Sequence, residues 1–276
     1  MKVGISMWSF HRAAERGRMS VADFIHVADG LGTENVELLN VFWHEKDDEI
    51  RQASDLLREL ELSVSAYDVG NDFVQADRSD FRNAVREVQR GVDVARKIGA
   101  PIVRVFAGVP KDGISPAQAF ELMIEGLSAG ADYAGGHGVK LALENHGELY
   151  GTATQLLEIM RRVGSANLGL NFDVGNFVPA GDDANSAIDR VFRHVLHVHM
   201  KDIRQAKPSD EEVFEGVDSR RYAVVGPGEG RTDIAKFVRK LSALGYAGVI
   251  SLENESAGDE FENTKRYLVV LRRMME

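Results

Sequence analysis

Short runs of β-forming residues recur along the chain, each followed by a longer stretch with helical spacing. This alternation restricts the fold more than any other feature of the sequence. The runs are VGISMWS (3–9), ENVELL (34–39), LSVSAY (62–67), PIVRVF (101–106), VKLALE (139–144), LGLNFD (168–173), VLHVHM (195–200) and GVISLE (248–253). Between them, apolar residues step by three or four, the period of a helix face. Phe81, Val85, Val88, Val92 and Ala95 form one such stripe, and Leu156, Leu157, Met160 and Val163 another. Ile234, Phe237, Val238, Leu241 and Leu244 form a third. Gly32, Gly99, Gly138, Gly164 and Gly245 stand before strands, where glycine supplies the left-handed cap of a finished helix. Eight strands alternating with eight helices in 276 residues predict a (β/α)8 TIM barrel, an α/β fold forming a single domain over 1–276. The rival is a doubly wound open sheet, which calls for a Gly-rich turn after its first strand. Here the first strand runs into WSFHRAAERG instead.

One connection breaks the rhythm. About 30 residues between Lys201 and Arg231 show no helical period, and loops of that length in a compact domain are usually functional. In a barrel this segment lies on the face where active sites form, so it is expected to fold over the pocket. It ends in GPGEG (226–230), which lacks the Lys-Ser/Thr of a phosphate loop. It is expected to be a turn leading into a helix capped by Thr232 or Asp233.

Composition excludes several functions. Lys and Arg number 33 against 43 Asp and Glu, a net charge of −10, which disfavours nucleic acid as a partner. With no cysteine, thiolate metal sites and a thiol nucleophile are excluded. MKVGISMWSF is unlike a secretion signal, and no run approaches the length of a membrane span. A cytoplasmic location and no membrane partner are therefore expected.

The chemistry concentrates at strand ends. In a barrel these ends face the catalytic mouth. Strand five ends in Glu144, strand six in Asp173 and strand eight in Glu253, and strand seven carries His199. Each alone has an ordinary reading: a core histidine, a turn cap at Asp173, an ion pair at Glu253. Together, on four consecutive strands, they describe a site for one ion. Three buried carboxylates without a cation would repel one another. Three carboxylates and one imidazole suit Mn²⁺ or Mg²⁺, with Co²⁺ or Zn²⁺ as alternatives. His197 points to the same side as His199 and is expected to orient a carboxylate one layer deeper.

The motifs LALENH, LGLNFDVGN, HVHMKD, GPGEG and GYAGVISLEN resemble, in order and rough spacing, the sugar phosphate isomerase/epimerase family of xylose-isomerase-like barrels. The resemblance covers the second half of the chain, with VELL and GND as weaker echoes in the first. It implies that Glu144, Asp173, His199 and Glu253 bind the metal, and it makes self-association an expectation. The chain departs from the ketose 3-epimerases of that superfamily, which carry His three residues after the metal-binding Asp and Arg six residues after the ligand His. Asn176 and Gln205 stand there, with Arg204 adjacent.

The expected activity is a metal-dependent isomerase or epimerase of a small carbohydrate or keto-sugar. Glu144 and Glu253 would act as acid and base on the carbon next to a carbonyl, through an enediolate held by the cation. The alternative is a metal-dependent dehydratase, a lyase of a keto-inositol or dehydroshikimate-type substrate. The partner is a sugar or polyol, expected to be unphosphorylated. Candidates to contact it are His146, Asn176, Lys201, Trp8 and Arg104. Phe10, Trp43, Tyr67 and Phe106 are further candidates for the pocket wall, with core packing as the other reading. Glu37 is expected either to touch substrate or to pair with Arg104.

Overall fold

The computed structural model describes residues 1–147 and 150–276. Among them, eight parallel strands close into a barrel, as the alternation predicts. In chain order they are β1 (Lys2–Ser6), β2 (Asn35–Leu39), β3 (Ser63–Asp68), β4 (Ile102–Val105), β5 (Lys140–Glu144), β6 (Leu168–Asp173), β7 (Val195–Met200) and, after three non-barrel strands, β11 (Val249–Leu252). β11 pairs with both β7 and β1, so the last strand completes the ring. β2 and β6 are buried along their whole length, as expected for strands covered on both faces.

Helices α1 (His11–Glu15), α2 (Val21–Gly30), α3 (Asp47–Glu59), α4 (Arg78–Ile98), α5 (Pro116–Gly136), α6 (Ala153–Val163), α7 (Ala184–Val191), α8 (Ile234–Ala243) and α9 (Glu260–Met275) alternate with the strands. Their ends follow local chemistry. Ser115 and Thr152 form capping boxes with Gln118 and Gln155. Gly99 and Gly164 end α4 and α6 with φ of 76° and 63°, the left-handed cap their positions predict. The apolar stripes face inward: Phe81, Val88, Val92 and Ala95 on α4, and Ile234, Phe237, Val238 and Leu241 on α8, are buried. None of the helices among the described residues is long and apolar enough to cross a membrane.

The long segment after β7 is not an irregular loop. It forms a small antiparallel sheet of β8 (Asp202–Gln205), β9 (Phe214–Glu215) and β10 (Arg221–Val225), in the order β8-β10-β9. Asp202 holds it in place. Its carboxylate accepts backbone N–H bonds from Gly228 at 3.0 Å and Gly230 at 2.9 Å, and from Ile203 at 2.9 Å. GPGEG is therefore a turn that wraps a buried carboxylate. A Cβ on Gly230 would sit 2.1 Å from Asp202 Oδ1, so only glycine allows the approach. Asp233, not Thr232, caps α8.

Candidate active site

The inward residues at the strand ends meet on the barrel axis. Glu144, Asp173, His199 and Glu253 each offer one donor atom within 4.8 Å of the others, and all four are buried. His199 Nδ1 lies 3.4 Å from Glu144 Oε2, 3.5 Å from Glu253 Oε1 and 4.0 Å from Asp173 Oδ2. The two glutamates thus approach the same imidazole nitrogen. Strand pairing sets this level: Asp173 and Ser251 both register with His199 on β7. Pairing between β6 and β7 slips at Leu170/Asn171, and that between β2 and β3 at Val36/Glu37. Such irregularities re-aim the side chains beside them.

Beneath the four donors lies a polar layer. Glu37, fully buried, accepts from His197 Nε2 at 2.7 Å and from His199 Nε2 at 2.6 Å. His197 thus lies against one carboxylate, that of Glu37. Glu37 is not paired with Arg104, which turns to Asp68 and Glu144 instead. With Nε2 directed at Glu37, His199 turns Nδ1 toward the three carboxylates. The histidines hold Glu37 well below the usual carboxylate range against the opposing effect of burial. Glu37, Glu253 and Glu144 raise His199 well above 6.5, again against burial.

Two cations edge the site. Arg104 is buried, with Nη2 2.8 Å from Asp68 Oδ2 and Nε 3.2 Å from Glu144 Oε2. Its guanidinium lies 4.1 Å from the centre of the Phe106 ring. Lys201 donates to Glu253 and Glu255, both at 2.7 Å, and lies 3.2 Å from Asp173 Oδ2. Burial pushes Glu253 up, but Lys201 and His199 overcome it and bring its carboxyl to about 2. Asp173 goes the other way: burial, with help from Glu144 and Glu253, lifts it to about 7 in spite of Lys201. The charged pair Lys201-Asp202 thus divides its work. Lys201 faces the carboxylates, and Asp202 clamps the sheet behind them.

Amides fix the carboxylates. Asn145 donates to Asp173 O at 3.0 Å and accepts from Asp173 N at 2.8 Å, joining the ends of β5 and β6. Asn171 and Asn176 donate to the two oxygens of Glu144 at 3.1 and 3.2 Å. The backbone N–H of Asn176 reaches Asp173 Oδ1 at 2.9 Å, so Asp173 does cap its turn as well as face the centre. His199 Nδ1 and Asp173 Oδ2 are buried with no hydrogen-bond partner among the described residues. Lys201 pairs with that oxygen at 3.2 Å, whereas the imidazole nitrogen faces three carboxylates with no hydrogen bond, a donor set that a divalent cation would satisfy, so these residues fit one.

A cavity of about 270 Å³ opens over the donors, lined by Trp8, Arg104, Phe106, His146, Lys201 and Glu255 among others. A second, of about 320 Å³, shares His146 and Lys201 and adds Asn176, with Phe214 and Val217 from the sheet segment. All five residues expected to contact substrate therefore line one or both cavities. Phe106 packs on His146 with ring centroids 4.7 Å apart. Phe10 and Tyr67 are core residues, and Trp43 lines a neighbouring groove. Asp68, Asn145, Asn171 and Glu255 belong to the site although sequence reasoning misses them. Asn145 carries a signal, standing directly after a strand-end glutamate as Asn254 does after Glu253.

A family model described as xylose isomerase-like TIM barrel matches residues 25–274. The chain is 26% identical over 305 aligned positions, covering 100% of it and 96% of the relative, to an inosose dehydratase of Mesomycoplasma hyopneumoniae. It is 31% identical over 154 positions to an uncharacterised protein of Methanocaldococcus jannaschii, where the match spans 52% of this chain and 48% of that one. Among solved structures, the IolI protein with a bound zinc atom superposes with a TM-score of 0.79 at 18% identity, covering 99% of both chains. At that identity the likeness shows the fold alone.

Proposed function

Because the chain belongs to the xylose isomerase-like TIM barrel family, we propose that its mouth holds one divalent cation and deprotonates the carbon next to the carbonyl of a small polyhydroxylated ketone. Glu144, Asp173, His199 and Glu253 would hold the ion, Mn²⁺ or Mg²⁺ by the oxygen-rich donor set, with Zn²⁺ or Co²⁺ as the alternatives. When bound, it would draw electron density from a substrate carbonyl and make the neighbouring C–H more acidic. The observation that carries the reading is the convergence of four buried donors, with His199 Nδ1 facing three carboxylates and making no hydrogen bond.

The protein's own groups supply the rest. Glu144 ends β5 and Glu253 follows β11, on opposite sides of β7 in the ring, so one would take a proton from one face and the other return a proton to the opposite face. That sequence is epimerisation; return to the adjoining carbon is isomerisation. Such acid–base assistance contributes about 10²–10⁴-fold. Asn171, Asn176 and Arg104 keep Glu144 aimed. His146, Trp8 and Phe106 would meet the ring and hydroxyls of the substrate. Burial lowers His146 below 6.5, so it would meet them as a neutral imidazole.

Dehydration is the second reading, favoured by the full-length relative named inosose dehydratase and by Lys201. The Lys201 ammonium lies at the cavity wall between Glu253 and Glu255, where it could donate a proton to a departing hydroxyl. Incubation with Mn²⁺ in D₂O, over a panel of ketoses and an inosose, separates the readings. Deuterium next to the carbonyl without a new double bond supports isomerase or epimerase chemistry, and a new enone absorbance supports dehydration. If neither develops, or if Glu144→Gln and Glu253→Gln leave turnover intact, the proposal fails.

A further inference from the structure

A groove of about 870 Å³ lies beside the cavity over the four donors, between the segment that follows β1 and the stretch from Val41 to Ala53. Trp8 and Val41 line both hollows, so the groove adjoins the carbonyl-binding end. Its walls are largely apolar, and the charged residues on them, Glu15 and Glu49, are both anionic. Arg104 and Lys201, the cations nearby, are engaged with carboxylates. No Lys or Arg is among the residues that line the groove, so a phosphate would meet no such cation on its walls.

The groove is also rigidly built. Trp8 stacks on Phe42 with ring centroids 5.7 Å apart. The Trp43 indole donates to the Tyr67 hydroxyl at 2.8 Å, Tyr67 donates to Glu45, and Glu45 lies 3.0 Å from Arg90. Aromatic walls fixed before binding favour a flat apolar guest, because little order is lost when it enters. Val41 stands at the junction and is 55% exposed, an apolar side chain that such a guest would cover.

We propose that this groove receives an apolar, ring-sized substituent carried by the substrate itself. The inference rests on the catalytic reading above for the other end of that molecule. The substrate class is then a neutral polyhydroxylated ketone joined to a flat apolar group, not a free monosaccharide and not a sugar phosphate.

The chain contains two tryptophans; Trp43 lines the groove and Trp8 both the groove and the cavity over the donors, so intrinsic fluorescence reports on both, and the methyl compound sets the cavity's share. Phenyl 3-keto-β-D-glucoside, methyl 3-keto-β-D-glucoside and glucose 6-phosphate are titrated into the protein with Mg²⁺. Burying one phenyl ring corresponds to about 10- to 100-fold in affinity. The phenyl compound is expected to bind tighter than the methyl compound by that factor and to shift tryptophan emission. Glucose 6-phosphate is expected to leave the emission unchanged. Gln52→Phe, which places a ring in the groove from α3, is expected to bring the phenyl-to-methyl ratio close to one. Equal binding of the two glucosides, or no binding of the phenyl compound, overturns the proposal. So does emission that follows protein concentration and not ligand, which would mean a second copy of the chain covers the groove. The D₂O experiment is independent of these titrations. If the phenyl preference holds without deuterium exchange, the catalytic reading falls and the binding groove stands. If exchange occurs without the preference, the groove proposal falls and the catalytic reading stands.

Discussion

Glu37→Gln tests whether the buried polar layer tunes the four donors above it. Glu37 accepts two short bonds, at 2.7 and 2.6 Å, from imidazoles that both present Nε2 hydrogens. A glutamine has one oxygen to accept and one amide that can only donate, so one histidine must change tautomer or lose its bond. If it is His199, its hydrogen moves to Nδ1, the atom that faces Glu144, Asp173 and Glu253, and the imidazole cannot ligate. If it is His197, His199 keeps its tautomer but trades a charge-assisted bond for a neutral one. Hydrogen bonds to charged groups are worth about 1.5–3 kcal/mol, equivalent to roughly 10- to 100-fold in affinity. Changing the partner of a metal-binding histidine has effects of that size. Calorimetric titration of metal-stripped protein with Mn²⁺ should therefore show a 10- to 100-fold weaker Kd for Glu37→Gln, with circular dichroism confirming that both proteins are folded. A folded variant whose Mn²⁺ affinity stays within about twofold of the parent, below the range that the lost bond implies, would refute the reasoning.

Three further outcomes follow from the same geometry. Lys201→Met leaves Glu253, Glu255 and Asp173 without their ammonium, and should cost the metal-free protein about 3–5 kcal/mol in urea denaturation; added Mn²⁺ should recover part of the loss. Asp173, with a carboxyl lifted from 3.8 to about 7, holds a proton in the folded metal-free protein that the unfolded chain has already released within that window. Stability should therefore fall as pH rises from 5 to 8, and His199, raised above 6.5, acts in the same direction. Asp173→Asn should flatten this slope in urea midpoints; an unchanged slope would assign it elsewhere. Gly230→Ala forces a methyl against Asp202 and should cost about 1–3 kcal/mol, with faster amide exchange across β8 and β10; parental exchange rates there would mean that the clamp is dispensable.

The barrel was legible because its signals are local. VLHVHM alternates faces within six residues, and each strand that ends in a ligand-type side chain does so at the same level of the ring. The role of Glu37 was hidden because its partners lie 160 and 162 residues away, and nothing in VELL distinguishes a histidine's acceptor from an arginine's. The sheet after β7 escaped notice for another reason. β9 is two exposed residues long, and β8 pairs antiparallel with β10 across a long intervening stretch. Its position depends on Asp202 reaching the GPGEG backbone, a contact that hydrophobic spacing does not record. The ion pairs of Lys201 are hidden in the sequence because Glu253 and Glu255 lie on the far side of that insertion.

Closure of the ring through β11 and β1 has a temporal consequence during synthesis. The hydrogen bonds of Glu37 await β7, and the last carboxylate, Glu253, arrives only with the final strand. A nascent chain lacking its last segment can bury most of its apolar residues yet has no complete nest for an ion. On the proposed reading an ion would find its full donor set only when the ring closes, and truncated products should be unable to sequester it from intact molecules.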